Sequence, residues 1–336
     1  MTDLVESSAG DITFDNIHLS ELIQPSHEPT SVEASDRRLP FNCTDPKVLE
    51  FLAAATAPNT RRAYESDVRH FIARGGRIPA TSEQVARYLA DRAGSLSVAT
   101  LARRLAGIRA AHVERGFPDP TKGELIRLTF RGVRRKHGKP QRRVAPLTIE
   151  HLTAVISALG NSTRDIRDRA LLLIGFAGAF RRSELSGIQY GWIRRTEQGV
   201  SITLGKTKTD QESKGRSVVI PQVGGFTCPV AALEAWLALT GIVEGPLFRR
   251  VSKSDKLAEG LSASAIATIV KQRAAQIGLD PAHFSGHSLR AGFATSAAVA
   301  GMPMWRIKRQ TGHVSDAALA MYIRETDADQ RCDGGF

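Results

Sequence analysis

The sequence has few cysteines and no long apolar run. Its three cysteines, Cys43, Cys228 and Cys332, lie far apart and match neither a disulfide framework nor the spacing of a metal site. This usage is typical of a reducing cytoplasm. The longest apolar stretch, Ala170–Phe180, is too short to span a bilayer, and the N-terminus lacks the basic start and apolar core of a secretion signal. We therefore expect a soluble cytoplasmic protein with no membrane segment.

Basic residues outnumber acidic ones outside the N-terminus. The chain has 46 Lys and Arg against 34 Asp and Glu, a net charge of +12, and its pI is near 10.0. Residues 1–45 hold nine acidic residues against Arg37 and Arg38, a charge of −7, so the remainder carries +19. Such an excess favours polyanionic partners, which are nucleic acid or an anionic membrane surface.

Composition and periodicity divide the chain into five segments. Residues 1–45 show no sustained period and predict a disordered acidic segment. Helical periodicity over 46–135 predicts an all-helical domain, and 136–146, basic with two prolines, predicts a linker. Residues 147–325 predict a mostly helical domain with a small antiparallel sheet, followed by a tail at 326–336. The predicted fold class is therefore mainly α with a small antiparallel β-sheet, in two domains.

Capping residues locate the first helices. Asp45 and Asn59 are predicted N-caps, and Thr81 with Gln84 has the spacing of a capping box. Apolar periodicity and alternation locate the other elements. Further helices are predicted at Val98–Arg115, Lys122–Lys136, Ile149–Leu159, Arg164–Phe180, Val230–Thr240, Ala263–Ile277, His287–Ala300, Met304–Gln310 and Asp316–Ile323, and strands at Val200–Leu204 and Ser217–Ile220.

Basic residues are concentrated from Arg127 to Arg143, where eight Lys and Arg occur without one acidic residue. In the predicted helix Lys122–Lys136, three of these basic residues form a stripe: Arg127, Arg131 and Arg134. This stripe lies about 100° around the helix axis from the apolar residues of the same helix. A run of charge is ordinarily a solvated face. Because this run leads into a linker between two basic halves, contact with nucleic acid is the favoured interpretation.

Five short stretches of the second half form a set. They are GAFRRSELSGI (178–188), GKTKTD (205–210), GHSLRAGFAT (286–295), TGHVSD (311–316) and AALAMYIRE (317–325). In this order they resemble the tyrosine recombinase family, also called phage-type integrases, with a Cre-like layout. The resemblance implies a two-domain DNA clamp, built from an N-terminal helical core-binding domain and a C-terminal catalytic domain.

The resemblance also implies a catalytic set and a role for each member. Arg181 and Arg290 would hold the phosphate, since guanidinium forks match phosphate oxygens bidentately. Tyr322 would attack phosphorus and form a phosphotyrosyl ester. Lys208 would protonate the departing 5′ oxygen, and Glu184 would orient the arginines or the histidine near them. The full set is Arg181, Glu184, Lys208, His287, Arg290, His313 and Tyr322.

The two histidines of the set would donate to phosphate oxygens or help to deprotonate the phenol. His287 precedes Arg290 by one helical turn, so that both side chains reach the same phosphate. His313 stands where Cre has tryptophan and where most of the family has histidine.

Each match has a plainer interpretation when taken singly. Arg182 and Lys206 are neighbouring alternatives, and only the family register favours the arginine at 181 and the lysine at 208. His287 alone is more often a capping or satisfied helix histidine. Tyr322 alone is more often a core aromatic. The agreement of five motifs in order favours the catalytic interpretation.

The implied partner is double-stranded DNA with an inverted-repeat site, bound by a homotetramer on two duplexes, without metal or nucleotide cofactor. Accessory DNA-bending proteins are a further class of partner. Two alternatives share the fold or the chemistry: a catalytically silent DNA-binding regulator and a type IB topoisomerase-like nicking-closing enzyme. By the same resemblance, the residues expected to contact DNA are Arg103, Arg127, Arg131, Arg134, Lys253 and Ser264.

Overall fold

The computed structural model describes residues 45–140, 144–205, 216–313, 315, 316 and 319. The chain divides into two compact units, with the division between residues 141 and 142. Both units are mainly helical and all described strands are antiparallel, so the predicted fold class is confirmed. In the part of the chain described, no helix is long and apolar enough to cross a membrane. The predicted N-terminal segment, C-terminal tail and helix at Asp316–Ile323 lie wholly or largely outside the described residues.

Within residues 45–140, side-chain caps explain where several helices begin. The Asp45 carboxylate accepts a hydrogen bond from the Lys47 amide at 2.8 Å, and Thr81 and Gln84 form the predicted capping box. The helices of this unit are α1 (Pro46–Ala54), α2 (Pro58–Ile72), α3 (Ser82–Arg92), α4 (Val98–Glu114) and α5 (Glu124–His137).

The prediction that Asn59 caps the second helix is wrong. Helix α2 already begins at Pro58, and Ala57 occupies the cap position. Proline suits this place because its ring presets a helical φ and its missing N–H would have no intrahelical partner. The Asn59 side chain lies in the first turn and accepts a hydrogen bond from Arg62 at 2.6 Å.

The core of the first unit is formed by α2, α3, α4 and α5. Val68 and Phe71 of α2 and Leu101 and Ile108 of α4 are at most 2% exposed, so the apolar residues that recur at helical spacing in both helices are buried. Helix α5 closes this core with Ile126 and other apolar residues. Burial of such stripes supplies most of the stability of short helices.

The second unit contains seven described helices and two antiparallel sheets. The predicted strands at 200–204 and 217–220 are confirmed as the middle and last strands of a three-stranded sheet in the order β1-β2-β3, and β4 pairs with β5. Strand β1 was not predicted, because three of its four residues are exposed and no alternation marks it. The elements are α6 (Ile149–Ser157), α7 (Thr163–Ala177), α8 (Arg182–Gly187), β1 (Ile193–Thr196), β2 (Gly199–Leu204), β3 (Arg216–Pro221), α9 (Pro229–Thr240), β4 (Arg249–Val251), β5 (Leu257–Gly260), α10 (Ala263–Gln276), α11 (Ser288–Val299) and α12 (Met304–Thr311).

Helix α7 is central to the second unit. Its residues 170–176 are all buried, so the longest apolar run of the sequence is a core helix. Gly175 permits α8 and α11 to approach it: a Cβ there would lie 2.8 Å from a methyl group of Leu185 and 2.9 Å from one of Leu289. This packing brings the N-terminal ends of α8 and α11 together over the same helix.

Candidate active site

Three arginine side chains converge on the C-terminal turn of α12. The carbonyl of Thr311 accepts hydrogen bonds from Arg290 and, at 3.1 Å, from Arg216. The carbonyl of Gly312 accepts one from Arg181 at 3.4 Å. The end of a helix carries unpaired carbonyls and the negative end of the helix dipole, and both attract cations.

A tight turn between α7 and α8 presents Arg181. Ala179 is buried in this turn with a φ of 48°, and Arg181 is the N-cap residue of α8. The carboxylate of Glu184, 9% exposed, accepts from the Arg181 amide at 2.8 Å and from its guanidinium at 2.5 Å. Arg182 is exposed and packs beside Gly286. The structure thus brings Arg181, and not Arg182, to the end of α12.

Arg290 lies in the first turn of α11 and is 4% exposed. Its guanidinium donates to the carbonyl of Ala179 at 3.0 Å as well as to that of Thr311. The start of α11 is itself held by a hydrogen bond from the Leu147 amide to the Ser288 carbonyl at 2.9 Å. One buried guanidinium therefore joins the α7–α8 turn to the end of α12.

His313 follows the α12 turn directly. The Thr311 hydroxyl donates to the carbonyl of Ile307 at 2.7 Å, so His313 Nδ1, 2.9 Å from the hydroxyl oxygen, must be the donor to it. The neutral ring then carries its proton on Nδ1, and Nε2 is the acceptor nitrogen. Desolvation, assisted by the three converging arginines, lowers the pKa of His313 to about 4. The ring is therefore neutral at pH 7.

His287 is the N-cap residue of α11, three residues before Arg290. Desolvation lowers its pKa, and the charges of Arg182 and the two other nearby arginines lower it further, while Glu184 acts in the opposite direction. Desolvation and positive charge thus favour the neutral form of both rings, although His287 as a residue is exposed to solvent. Neutral imidazoles among guanidinium groups suit a bound phosphate, because its charge meets fixed cations that donate to its oxygens, while a neutral imidazole nitrogen can accept a proton.

Two predicted catalytic residues, Lys208 and Tyr322, lie outside the described residues. Lys208 belongs to the segment between β2 and β3, here called the Lys208 segment. Leu204 and Arg216, the last pair of the β2–β3 ladder, flank this segment, and the Arg216 side chain belongs to the arginine cluster. Three residues before Tyr322 in the sequence, Leu319 is fully buried in a small cluster with Ile307 of α12 and two alanines of α11. Across the described ranges, no group of three His, Cys, Asp or Glu is placed to hold a metal ion.

The residues expected to contact DNA in the first unit are solvent-accessible. The Arg103 side chain on α4 is 46% exposed, and its guanidinium lies 3.0 Å from the carboxylate of buried Asp67. Burial raises the pKa of Asp67, although two arginines oppose this shift. The exposed stripe on α5 consists of Arg127, Arg131 and Arg134.

In the second unit, the residues expected to contact DNA also lie on the surface. Lys253 lies in the turn between β4 and β5, and Ser264 in the first turn of α10; both are exposed. The Ser264 hydroxyl lies 2.8 Å from that of Ser262. Among the described contacts, none joins either residue to the arginine and histidine cluster.

Sequence reasoning missed Arg216, the third arginine of the cluster. It is the first residue of β3, its side chain is 19% exposed, and it lies 3.9 Å from the Glu184 carboxylate. Desolvation lowers its pKa, an effect that Glu184 opposes. The available signal was a basic residue at the head of an otherwise apolar, alternating strand.

Comparison with known proteins agrees with this arrangement. Residues 145–329 match the sequence model of the phage integrase family. The chain is 36% identical over 285 residues to the integrase/recombinase XerD homolog of Selenomonas ruminantium, covering 82% of this chain and 84% of that protein. It is 27% identical to the recombinase Cre of Escherichia phage P1, covering 75% and 78%.

The fold agrees as well. A lambda integrase tetramer bound to a Holliday junction superposes with a TM-score of 0.56 at 16% identity, covering 82% of this chain and 75% of that one. More than half of the chain matches the family model and most of it matches a relative above 30% identity. The chain therefore belongs to the phage integrase family and is a tyrosine-type site-specific recombinase.

Proposed function

We propose that the protein cleaves and rejoins double-stranded DNA at an inverted-repeat site through a 3′-phosphotyrosyl intermediate on Tyr322. It works in the cytoplasm as a homotetramer on two duplexes, with two protomers cleaving at a time. The lambda integrase tetramer on a Holliday junction, which shares the fold, supports this assembly. The exposed stripe on α5 and the basic linker supply phosphate contacts that bind DNA without choosing a sequence.

The observation that carries this proposal is the convergence at the end of α12. Arg181 and Arg290 reach the same helix end, and His313 lies two residues beyond the last residue of that helix. These side chains come from three parts of the chain far apart in sequence, and the two guanidinium groups place positive charge beside a neutral imidazole. A phosphate that displaces the α12 carbonyls from the two guanidinium groups would receive charge-assisted hydrogen bonds from both.

The chemistry follows from these groups. The phenol oxygen of Tyr322 attacks phosphorus, the bond to the 5′ oxygen breaks, and Lys208 gives that oxygen its proton. The extra negative charge on the non-bridging oxygens is met by Arg181 and Arg290, and His313 and His287 handle protons at the oxygens or the phenol. The phosphotyrosyl ester keeps the energy of the broken bond, so that rejoining needs no ATP. The fixed guanidinium charges serve where a metal would otherwise stabilise the transition state.

Lys208 and Tyr322 are within reach of the cluster by chain length alone. Lys208 is four positions beyond Leu204, a span of at most about 14 Å. Tyr322 is three residues beyond buried Leu319, which is at most about 11 Å. The chain length therefore allows both side chains to approach a phosphate bound at the arginines.

A suicide substrate tests the proposal. Binding sequences are first selected from a randomised duplex library with the Tyr322→Phe protein, and the recovered inverted repeat is then nicked so that a cleaved strand diffuses away. The wild-type protein should form a covalent adduct that resists denaturing detergent, also with EDTA present and without ATP. The Tyr322→Phe protein should bind equally and form none.

The same assay separates the alternatives. A DNA-binding regulator would bind the selected sequence but leave no adduct in the wild-type protein. A topoisomerase-like enzyme would form the adduct and relax a supercoiled plasmid that carries two sites, yet produce no recombinant junctions. Recombinant junctions together with the adduct are the outcome that we expect.

A further inference from the structure

Arg216 joins three parts of the active-site region through one side chain. Its guanidinium donates to the carbonyls of Gln310 and Thr311, the latter at 3.1 Å, and lies 3.9 Å from the carboxylate of Glu184. Its backbone begins β3 and pairs with Leu204 at the root of the Lys208 segment. A single guanidinium therefore connects the strand ladder, the end of α12 and the partner of Arg181.

Gly312 completes this arrangement. Its φ is 65°, in the left-handed region that favours glycine, and it ends α12. A Cβ at this position would lie 2.5 Å from a terminal nitrogen of Arg216 and 2.9 Å from its central carbon. The guanidinium is thus seated directly against the turn that leads to His313, with no room for a side chain between them.

The three arginines differ in what they do when phosphate arrives. Arg181 and Arg290 bind the same carbonyl turn, but their proposed task is to turn their forks towards the phosphate oxygens. Arg216 would keep its hydrogen bonds to two carbonyls of this turn while Arg181 and Arg290 bind the phosphate. Without it, the turn would lose its remaining donor, and buried carbonyls without partners are costly.

We propose that Arg216 is a positioning residue for the recombination reaction: its guanidinium fixes the turn from Gln310 to His313, together with Glu184, against the root of the Lys208 segment. It acts through His313 and Arg181, and does not itself touch DNA. This inference rests on the proposed function, because the groups that it positions are those assigned to the cleavage step.

A second consequence distinguishes positioning from general stability. The positive charge of Arg216 is one of the causes that depress the pKa of His313, after desolvation and the charges of Arg290 and Arg181. Removing the charge raises that pKa from about 4 towards the ordinary histidine value, whereas lysine retains the charge but loses the planar fork. Rate and pKa therefore respond differently to the two substitutions.

The experiment compares Arg216→Lys and Arg216→Met with a matched control, Arg169→Met. Arg169 of α7 also donates to two carbonyls, those of Leu159 and Gly160 at 3.1 Å each, in the connection between α6 and α7. Single-turnover cleavage is measured on the nicked, selected duplex at saturating DNA. DNA affinity is measured for each variant in the Tyr322→Phe background. The pKa of His313 is followed by NMR of the DNA-free protein.

Both Arg216 variants should cleave about 10- to 100-fold more slowly at saturating DNA, since a small misplacement of reacting groups costs that much. Their DNA affinities should stay within about threefold of wild type, as expected for a residue without a phosphate contact. The pKa of His313 should rise in Arg216→Met and stay unchanged in Arg216→Lys. Arg169→Met should cleave like wild type at saturating DNA and leave the pKa of His313 where it is.

Three results would overturn the proposal. They are wild-type cleavage rates in both Arg216 variants, a loss of DNA affinity as large as the loss of rate, and a pKa of His313 that does not respond to Arg216→Met. The test is also separable from the proposed function. If the wild-type protein forms no adduct, the proposed function fails, and the NMR measurement still decides whether Arg216 is seated against His313.

Discussion

Acidification should destabilise the second unit through His313. The folded protein holds the pKa of this residue at about 4, whereas an unfolded histidine titrates near about 6.5. As the pH falls below the unfolded value, the unfolded chain takes up a proton that the folded site excludes, so stability is lost. Between pH 7.5 and 5 the loss from this residue alone is about 2 kcal/mol, and it approaches about 3 kcal/mol below pH 4. His287, whose pKa is also lowered, adds a loss of the same sign.

The measurement is urea unfolding followed by tryptophan fluorescence at pH 7.5 and pH 5. All three tryptophans, Trp192, Trp236 and Trp305, lie in the second unit, so the signal follows that unit alone. The His313→Asn variant does not titrate but keeps an amide donor for the Thr311 hydroxyl. The free-energy difference between wild type and variant should shift by about 2 kcal/mol in favour of the variant on going to pH 5. A difference that does not change with pH would refute the assigned environment of His313.

Three other perturbations test the account. Lys208→Ala should slow cleavage by about 10²- to 10⁴-fold, as expected for a lost general acid, with little change in DNA affinity, while Lys206→Ala should cleave normally; a large loss of binding in Lys208→Ala would contradict its role. Replacing all three arginines of the exposed α5 stripe by alanine should reduce the salt dependence of DNA binding by about 0.9 in log–log slope per lost phosphate contact; an unchanged slope would mean that the stripe is only a solvated face. The buried carboxylate of Asp168 lies 2.7 Å from Arg167 and 2.6 Å from Arg273. Asp168→Ala leaves both arginines without this carboxylate and should lower the unfolding free energy of the second unit by about 3–5 kcal/mol. A loss below about 1 kcal/mol would show that the ion pairs are not buried in solution.

Strong local patterns predicted much of the fold. The spacing of Thr81 and Gln84 predicted the start of α3, and the apolar run from Ala170 predicted α7, because both features depend on residues a few positions apart. The start of α2 was mispredicted, since Asn59 and Pro58 are both suitable near a helix start and only the tertiary path decides between them. Strands β1, β4 and β5 have only three or four residues each and no regular alternation of buried and exposed positions, so periodicity could not detect them.

The residues of the candidate site could be predicted where they belong to family motifs. The backbone carbonyls that bind the arginine side chains could not. Arg181, Glu184 and Arg290 lie together, as the predicted catalytic set requires. What holds them is a row of α12 carbonyls, and no residue pattern records which carbonyl faces which guanidinium. Arg216 was missed for the same reason, because its contacts are to backbone atoms almost a hundred residues away.

The central claim is that one phenol, that of Tyr322, reaches a phosphate held by these arginines. The most direct measurement is mass spectrometry of the trapped adduct after digestion with nuclease and protease. A nucleotide attached through its 3′ phosphate to the peptide containing Tyr322 is the predicted result. Attachment to any of the other three tyrosines, Tyr64, Tyr88 or Tyr190, or to a residue that is not tyrosine, would contradict the account.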